Sequence, residues 1–282
     1  MSHILIDSHQ HFWQLNRGDY HWLTPQLTSL YRDYLPHDYE QAAKQHMPTQ
    51  SVLVQAAATD DETDFMLALA EENRFIAGVV GWVDWTLPEQ VVCKRLLALS
   101  RHHKFKGVRP MLQDIDDVDW ILTPSFEPIF SQLATLGLTF DALVTTKHLA
   151  NIRKIAQRYP QLHIVIDHCA KPNIAKSEFA AWSDALNNFK ELDNVYIKVS
   201  GLTTEASSEQ IDASDFVPYL KSVTDIFGSS RMMWGSDWPV VNTNSSYADW
   251  FSLSSQLVAD WQEKDKQNLW SNTAKAFYKL VN

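Results

Sequence analysis

Cysteine is almost absent from this chain: Cys93 and Cys169 are the two examples in 282 residues. So sparse a count leaves no disulfide framework of the secreted kind, and a reducing compartment fits best. Glycine is scarce as well, at eight residues, and neither a G-x-G-x-x-G run nor a P-loop occurs. That removes the turn by which an open doubly wound sheet usually binds nucleotides. No apolar stretch reaches membrane-spanning length, and the N-terminus, Met1-Ser2-His3-Ile4-Leu5-Ile6-Asp7, meets charge too early for a signal peptide. Basic residues are outnumbered, 24 Lys and Arg against 34 Asp and Glu, and the formal charge of -10 is spread without long runs. Such a balance argues against a phosphate-backbone footprint on nucleic acid. Together these absences lead us to expect a cytoplasmic, soluble protein with neither a nucleic-acid nor a membrane partner.

What the chain does have is a core: 45% of its residues are hydrophobic, enough to fill one large α/β domain spanning residues 1–282. Eight short apolar runs recur along it, at Ile4–Asp7, Ser51–Ala56, Phe75–Trp82, Phe105–Arg109, Leu138–Leu143, His163–Ile166, Val195–Val199 and Arg231–Trp234. Most are apolar throughout, as parallel strands buried on both faces must be. Between them, Glu62–Asn73, Pro88–His102, Ser125–Leu136, His148–Tyr159, Ala180–Leu192 and Ser214–Phe227 carry apolar residues at helical spacing. The alternation predicts a parallel sheet of β-α units, and eight strands predict closure into a (β/α)₈ TIM barrel. The segment from Tyr247 to Val281 reads as a closing amphipathic helical stretch. Residues 12–47, rich in Trp, Tyr and Pro, read as a loop covering the barrel mouth.

Polar and ionisable residues cluster just after the apolar runs, where a barrel places its chemistry. In Asp7-Ser8-His9-Gln10-His11, residues two apart on a strand point the same way, so His9 and His11 project two imidazoles side by side. Alone, such a pair serves as readily in hydrogen bonding as in ligation; its place after the first run favours the mouth. The sixth run ends in Asp167-His168, offering a third imidazole, and the last is followed by Gly235-Ser236-Asp237-Trp238-Pro239, in which Asp237 is a carboxylate flanked by aromatics. Three imidazoles and one carboxylate form a nitrogen/oxygen donor set suited to a mononuclear divalent metal such as Zn²⁺. Arg109 ends the fourth run and its fork suits a substrate carbonyl, carboxylate or hydroxyl, the alternative being a salt bridge. Gln55 ends the second and faces either the mouth or its own loop. Lys198, inside a buried run, must be paired or aimed into the barrel end, and Lys171 follows His168 with no role assigned. Trp13 and Trp238, beside the motifs, are candidate platforms for a sugar ring, with core packing as the alternative.

D-x-H-x-H after the first strand, I-D-H-x-A-K-P and G-S-D-W-P together resemble the amidohydrolase superfamily, in particular its amidohydrolase-related (amidohydrolase 2) lactonase-like branch. Supporting stretches, among them His11-Phe12-Trp13 and Gly107-Val108-Arg109-Pro110, extend the resemblance over nearly the whole chain. Members of that branch open sugar lactones such as L-fuconolactone and L-rhamnonolactone, and 2-pyrone-4,6-dicarboxylate. The resemblance implies that His9, His11, His168 and Asp237 hold a metal, that His168 and Asp237 are catalytic, with Asp237 activating water, and that Arg109 grips substrate; Gln55, Trp13 and Trp238 are expected to contact substrate from their places near the mouth. Many superfamily members carry a bridging Lys or Glu on the fourth strand and histidines on both the fifth and sixth; this chain offers Arg109, Asp141 and His168 there, so a binuclear site is not expected. One divalent metal, Zn²⁺, is the expected cofactor, with metal-independent catalysis left open. The expected partner is a small-molecule lactone, and a homo-oligomer is left open. Two rival functions remain: a metal-dependent non-oxidative decarboxylase on the same barrel, and a non-catalytic sugar-binding barrel. A serine or thiol hydrolase is a poor rival, since no G-x-S-x-G elbow occurs and Cys169 lacks the flanking signatures.

Overall fold

The computed structural model describes residues 4–281. Eight parallel strands, β1 Ile6–Gln10, β2 Gln50–Val54, β3 Ile76–Gly81, β4 Phe105–Val108, β5 Thr139–Ala142, β6 Ile164–Ile166, β7 Val195–Val199 and β8 Met232–Trp234, follow one another in sheet order. The seam between first and last is bridged by the His11 N–H donating to Trp238 O at 2.7 Å and the Asp237 N–H donating to His9 O at 2.8 Å. The fold is therefore a (β/α)₈ barrel. Around it lie α1 Pro36–Ala42, α2 Asp60–Glu72, α3 Glu89–Leu99, α4 Glu127–Leu136, α5 Leu149–Arg158, α6 Ala180–Asn187, α7 Ala213–Phe227, α8 Tyr247–Leu257, α9 Glu263–Gln267 and α10 Thr273–Phe277.

Local chemistry explains where these elements begin. Thr59 caps α2, its hydroxyl accepting from the Glu62 N–H at 3.1 Å, and three acidic residues follow in the first turn, where the helix dipole favours them. Ser246 caps α8 in the same way through the Asp249 N–H. One apolar layer packs the strands against the helices. A second joins Phe277, Tyr278 and Leu280 to Ile6, Val52, Val54, Val80, Val165 and Met233, so the C-terminal segment seals the barrel interior.

Three expectations need adjusting. β1 runs on to Gln10 instead of ending at Asp7, because Ser8, His9 and Gln10 are buried polar residues whose side chains have partners on β8, β7 and β2, so hydrophobicity stops before the strand does. Its pairing with β2 also shifts register between Asp7 and Gln10, an irregularity of the kind that re-aims side chains. The closing stretch is broken into α8, α9, a π-helical turn at Asn268–Asn272, and α10. The segment between β1 and β2 is not structureless: it contains a 3-10 turn at Leu15–Arg17 and α1. Trp22 Nε1 of this segment donates to Ala56 O at 2.7 Å, just beyond the end of β2.

Candidate active site

His9, His11, His168 and Asp237 converge at the C-terminal end of the strands. The Nε2 atoms of His9 and His11 lie 3.1 Å apart, and Asp237 Oδ1 stands 3.3 Å from His11 Nε2 and 3.8 Å from His9 Nε2. His168 follows β6, the sixth strand as counted in the sequence, and its Nδ1 lies 3.8 Å from Asp237 Oδ2 and 2.9 Å from Ser200 Oγ. Donor atoms of His9, His168 and Asp237 all fall within 4.8 Å of one another, close enough to share an ion.

The backbone is built to bring them there. Asp7 accepts from the His9 and Ser236 N–H groups through Oδ1, at 3.1 and 2.9 Å, and from the Tyr39 hydroxyl through Oδ2 at 2.7 Å. It thereby clamps β1 to the turn that carries Asp237, and burial pushes its carboxyl up to about 6. At Gly235, an added Cβ would fall 2.7 Å from His9 Cβ, so only glycine lets the two strands approach this closely. After β6 the chain makes a left-handed turn: His168, Cys169, Ala170 and Lys171 all have φ between 50° and 59°. A non-glycine residue in that region is strained by about 1–2 kcal/mol, and strain of this kind collects at functional sites. Trp182 Nε1 donates to Cys169 O at 2.6 Å and the Cys169 thiol to Lys198 O at 3.3 Å, which anchor the turn. Burial pushes that thiol up to about 12.

The electrostatics separate the acid from the bases. Burial alone would raise the Asp237 carboxyl, but the facing imidazoles of His168, His11 and His9 outweigh it and hold the group well below the usual carboxylate range. Burial drives the imidazoles down: His168 to about 4, against the pull of Asp237, and His9 further, helped by Lys198. His11 moves down for the same reason. All four groups of the cluster are thus shifted downward.

Hydrogen bonding fixes which nitrogens face the centre. His11 Nδ1 donates to Val54 O at 2.7 Å, leaving the Nε2 lone pair free toward Asp237 and His9. Lys198 is fully buried, and its ammonium reaches Asp141 Oδ2 at 2.7 Å, Asp167 Oδ1 at 3.0 Å and His9 Nδ1 at 3.0 Å. Tyr278 donates to the same Asp141 oxygen at 2.6 Å. Lys198 is thus an ion pair inside the barrel that also orients His9. Burial holds the Asp141 carboxyl up, whereas at Asp167 the attraction of Lys198 and His9 overcomes burial and holds it down.

Arg109 is 3% exposed and already engaged. Its Nε and Nη2 donate to Gln55 Oε1 at 3.1 and 2.9 Å, Nη2 also reaches the Gln55 carbonyl, and Nη1 meets Asp167 Oδ2 at 3.3 Å. Nη1 also stands 3.3 Å from His9 Nε2, so one donor of the fork remains directed at the centre. Gln55 Nε2 is occupied by Ala57 O at 3.1 Å, which makes Gln55 the residue that sets the guanidinium plane. Lys171 makes an ion pair with Glu205 at 3.6 Å beside the site. Trp13 and Trp238 are 0% and 1% exposed, packed edge-on with Tyr34, so neither presents a face on which a sugar could stack in this structure. The platform expected of them is corrected to core packing, driven by the large apolar area of an indole. Sequence reasoning gave Asp141, Asp167 and Ser200 no role; the signal was present, since charged residues in otherwise apolar strands must find partners there.

A divalent ion fits this donor set. The His11 tautomer already offers Nε2, donor atoms of His9, His168 and Asp237 lie within reach of one ion, and Asp167 Oδ1 backs His9 Nδ1 at 3.5 Å. A ligating imidazole backed by a carboxylate is the usual outer-shell arrangement.

Residues 6–280 match the amidohydrolase family. An L-fucono-1,5-lactonase from Burkholderia ambifaria is 39% identical over 98% of this chain and 95% of its own length. An L-fucono-1,5-lactonase from Burkholderia multivorans is 35% identical over 99% of this chain and 97% of its own. Among solved structures, an amidohydrolase from Burkholderia multivorans with bound zinc superposes with a TM-score of 0.91 at 34% identity, covering 99% of this chain and 100% of that one.

Proposed function

The chain belongs to the amidohydrolase family, and on that premise we propose that it is a hydrolase opening a sugar lactone with a water deprotonated by Asp237. The observation that carries the reading is an almost fully buried Asp237 carboxyl set among three imidazoles, 3.3 Å from His11 and 3.8 Å from His9 and His168. Relatives that are L-fucono-1,5-lactonases support the substrate class. A neutral sugar lactone is the first choice, and a carboxylated lactone the second.

Asp237 takes a proton from water as the water oxygen adds to the lactone carbonyl carbon. The carbonyl electron pair moves onto oxygen, where the Nη1 donor of Arg109, its plane fixed by Gln55, stabilises the developing charge. Collapse of the tetrahedral species breaks the ring C–O bond, and Asp237 returns its proton to the leaving alkoxide, releasing the open hydroxy acid. His168, anchored to Ser200 at 2.9 Å, borders the carboxylate at 3.8 Å. His9, His11, His168 and Asp237 would hold a divalent ion, Zn²⁺ by the nitrogen/oxygen character of the set. Bound there, it would polarise the carbonyl and acidify water. The partner is a small molecule; among the described residues no helix is long and apolar enough to cross a membrane.

The test is proton release, followed with a pH indicator, across sugar 1,4- and 1,5-lactones and carboxylated lactones. Turnover on a sugar lactone is expected. Carbon dioxide from a carboxylated substrate, with no lactone opened, would overturn the hydrolytic reading in favour of decarboxylation; ligand binding without any turnover would favour a binding protein.

A further inference from the structure

A cavity of about 640 Å³ opens beside the catalytic centre on the same face of the barrel. Its walls continue the strands that carry Gln55 and Arg109: Ala57 and Ala58 lie beyond Gln55, and Pro110 and Met111 follow Arg109 directly. None of its walls is His9, His11, His168 or Asp237, so the bond being broken lies outside it. Its volume falls in the range of about 300–1,000 Å³ that holds a sizeable small molecule. Resting on the lactonase reading above, we infer that this cavity is a sugar-binding subsite for a second, hydroxyl-bearing ring attached to the lactone that is opened.

The lining chemistry identifies the ring. Trp22, Trp82 and Trp120 are partly exposed in its wall, and indole faces suit the C–H faces of a pyranose, while Trp85 is buried behind them. Two polar atoms in the wall are buried and unpartnered among the described residues: the indole N–H of Trp85, a donor, and Asp19 Oδ1, an acceptor. The Trp85 ring is packed against Phe126 and Phe130, and Asp19 spends its other oxygen on Arg17 and Thr59. Buried polar groups demand partners, and a hydroxyl both accepts and donates. A hydrocarbon can do neither, and an organic cation, which the aromatic walls would otherwise suit, cannot accept from Trp85. Asp84 and Asp114 add carboxylates, of which Asp84 Oδ1 is taken by Thr86. Three carboxylates favour hydroxyl donors and repel an anionic ring.

The monosaccharide 1,5-lactone that the enzyme opens fastest is to be compared with its glycosylated counterpart, in wild type, Trp85→Phe and Trp120→Ala. Tryptophan fluorescence is titrated in parallel with lactose and cellobiose. The glycosylated lactone is expected to show a kcat/KM about tenfold higher. Trp85→Phe, which removes one hydrogen bond and keeps the ring, is expected to cut that preference about fivefold. Trp120→Ala, at a half-buried position, should also lower it, and a disaccharide should quench fluorescence saturably. Equal or lower kcat/KM for the glycosylated lactone, with no saturable quenching, would overturn the subsite. Opening of neither lactone, together with saturable quenching weakened by Trp85→Phe, would overturn the lactonase reading and leave the sugar subsite standing.

Discussion

Lys198 on β7 reaches past β8 to Nδ1 of His9 on β1, at 3.0 Å, and so ties the imidazole of the first strand to the buried acids inside the barrel. An ammonium and a guanidinium both only donate, and Arg109 Nη1 stands 3.3 Å from His9 Nε2, so each nitrogen of this ring faces a cationic donor, with His11 Nε2 3.1 Å away. The two other contacts of Lys198 are carboxylates, Asp141 and Asp167. Lys198→Met would leave those charges buried without their cation, and breaking such a pair costs about 3–5 kcal/mol. Urea unfolding should register that loss, and kcat on a lactone should fall with it; a variant as stable as the wild type would contradict the network.

Asp237→Asn retains shape and hydrogen-bonding capacity but removes the base. Loss of a general base lowers kcat by about 10²–10⁴. Steady-state rates on the best lactone, with circular dichroism to verify folding, test this; a rate within threefold or so of wild type would assign the base elsewhere.

If a divalent ion is held by His9, His11, His168 and Asp237, dialysis against a chelator should remove it and zinc should restore it stoichiometrically. His9→Ala should lower metal content measured by atomic absorption, independently of any activity. Unchanged metal content in that variant would place the ion at another site, such as the exposed group Glu71, His102 and His103.

Glu62 supplies a pH signature of stability. Its carboxylate accepts from the N–H groups of Ala56 and Ala57 at 2.7–3.0 Å, yet burial dominates and raises it from 4.5 to about 8. The folded protein therefore holds a proton that the unfolded chain has released. The stability from this group is fully present below pH 4.5 and is lost progressively as pH rises through 8. Melting temperatures across that window should fall in the wild type, and Glu62→Gln should flatten the slope. An unaltered slope in the variant would remove Glu62 as its source.

Gly235→Ala places a methyl 2.7 Å from His9 Cβ. Overpacking at such a contact costs about 1–3 kcal/mol, and the strand must move away from the very residue it positions. Both thermal stability and kcat should drop; retention of both would mean the seam between β1 and β8 is looser than its hydrogen bonds indicate.

Much of this could be read along the chain. The eight β-α units are visible because a strand buried on both faces has to be apolar and a helix packed on it has to be amphipathic; both are local properties of sequence. His9, His11, His168 and Asp237 were legible for a related reason, since each follows an apolar run and a barrel brings all strand ends to one face. Other features belong to the tertiary structure alone. Whether Trp13 and Trp238 stack on a ligand or pack against Tyr34, which oxygen Lys198 pairs with, and that Gln55 serves Arg109 are settled by residues far apart in sequence. So is the cavity, whose unpartnered donor on Trp85 and acceptor on Asp19 come from different loops. Periodicity specifies which face of an element is buried, but what it is buried against depends on long-range contacts that no local pattern encodes.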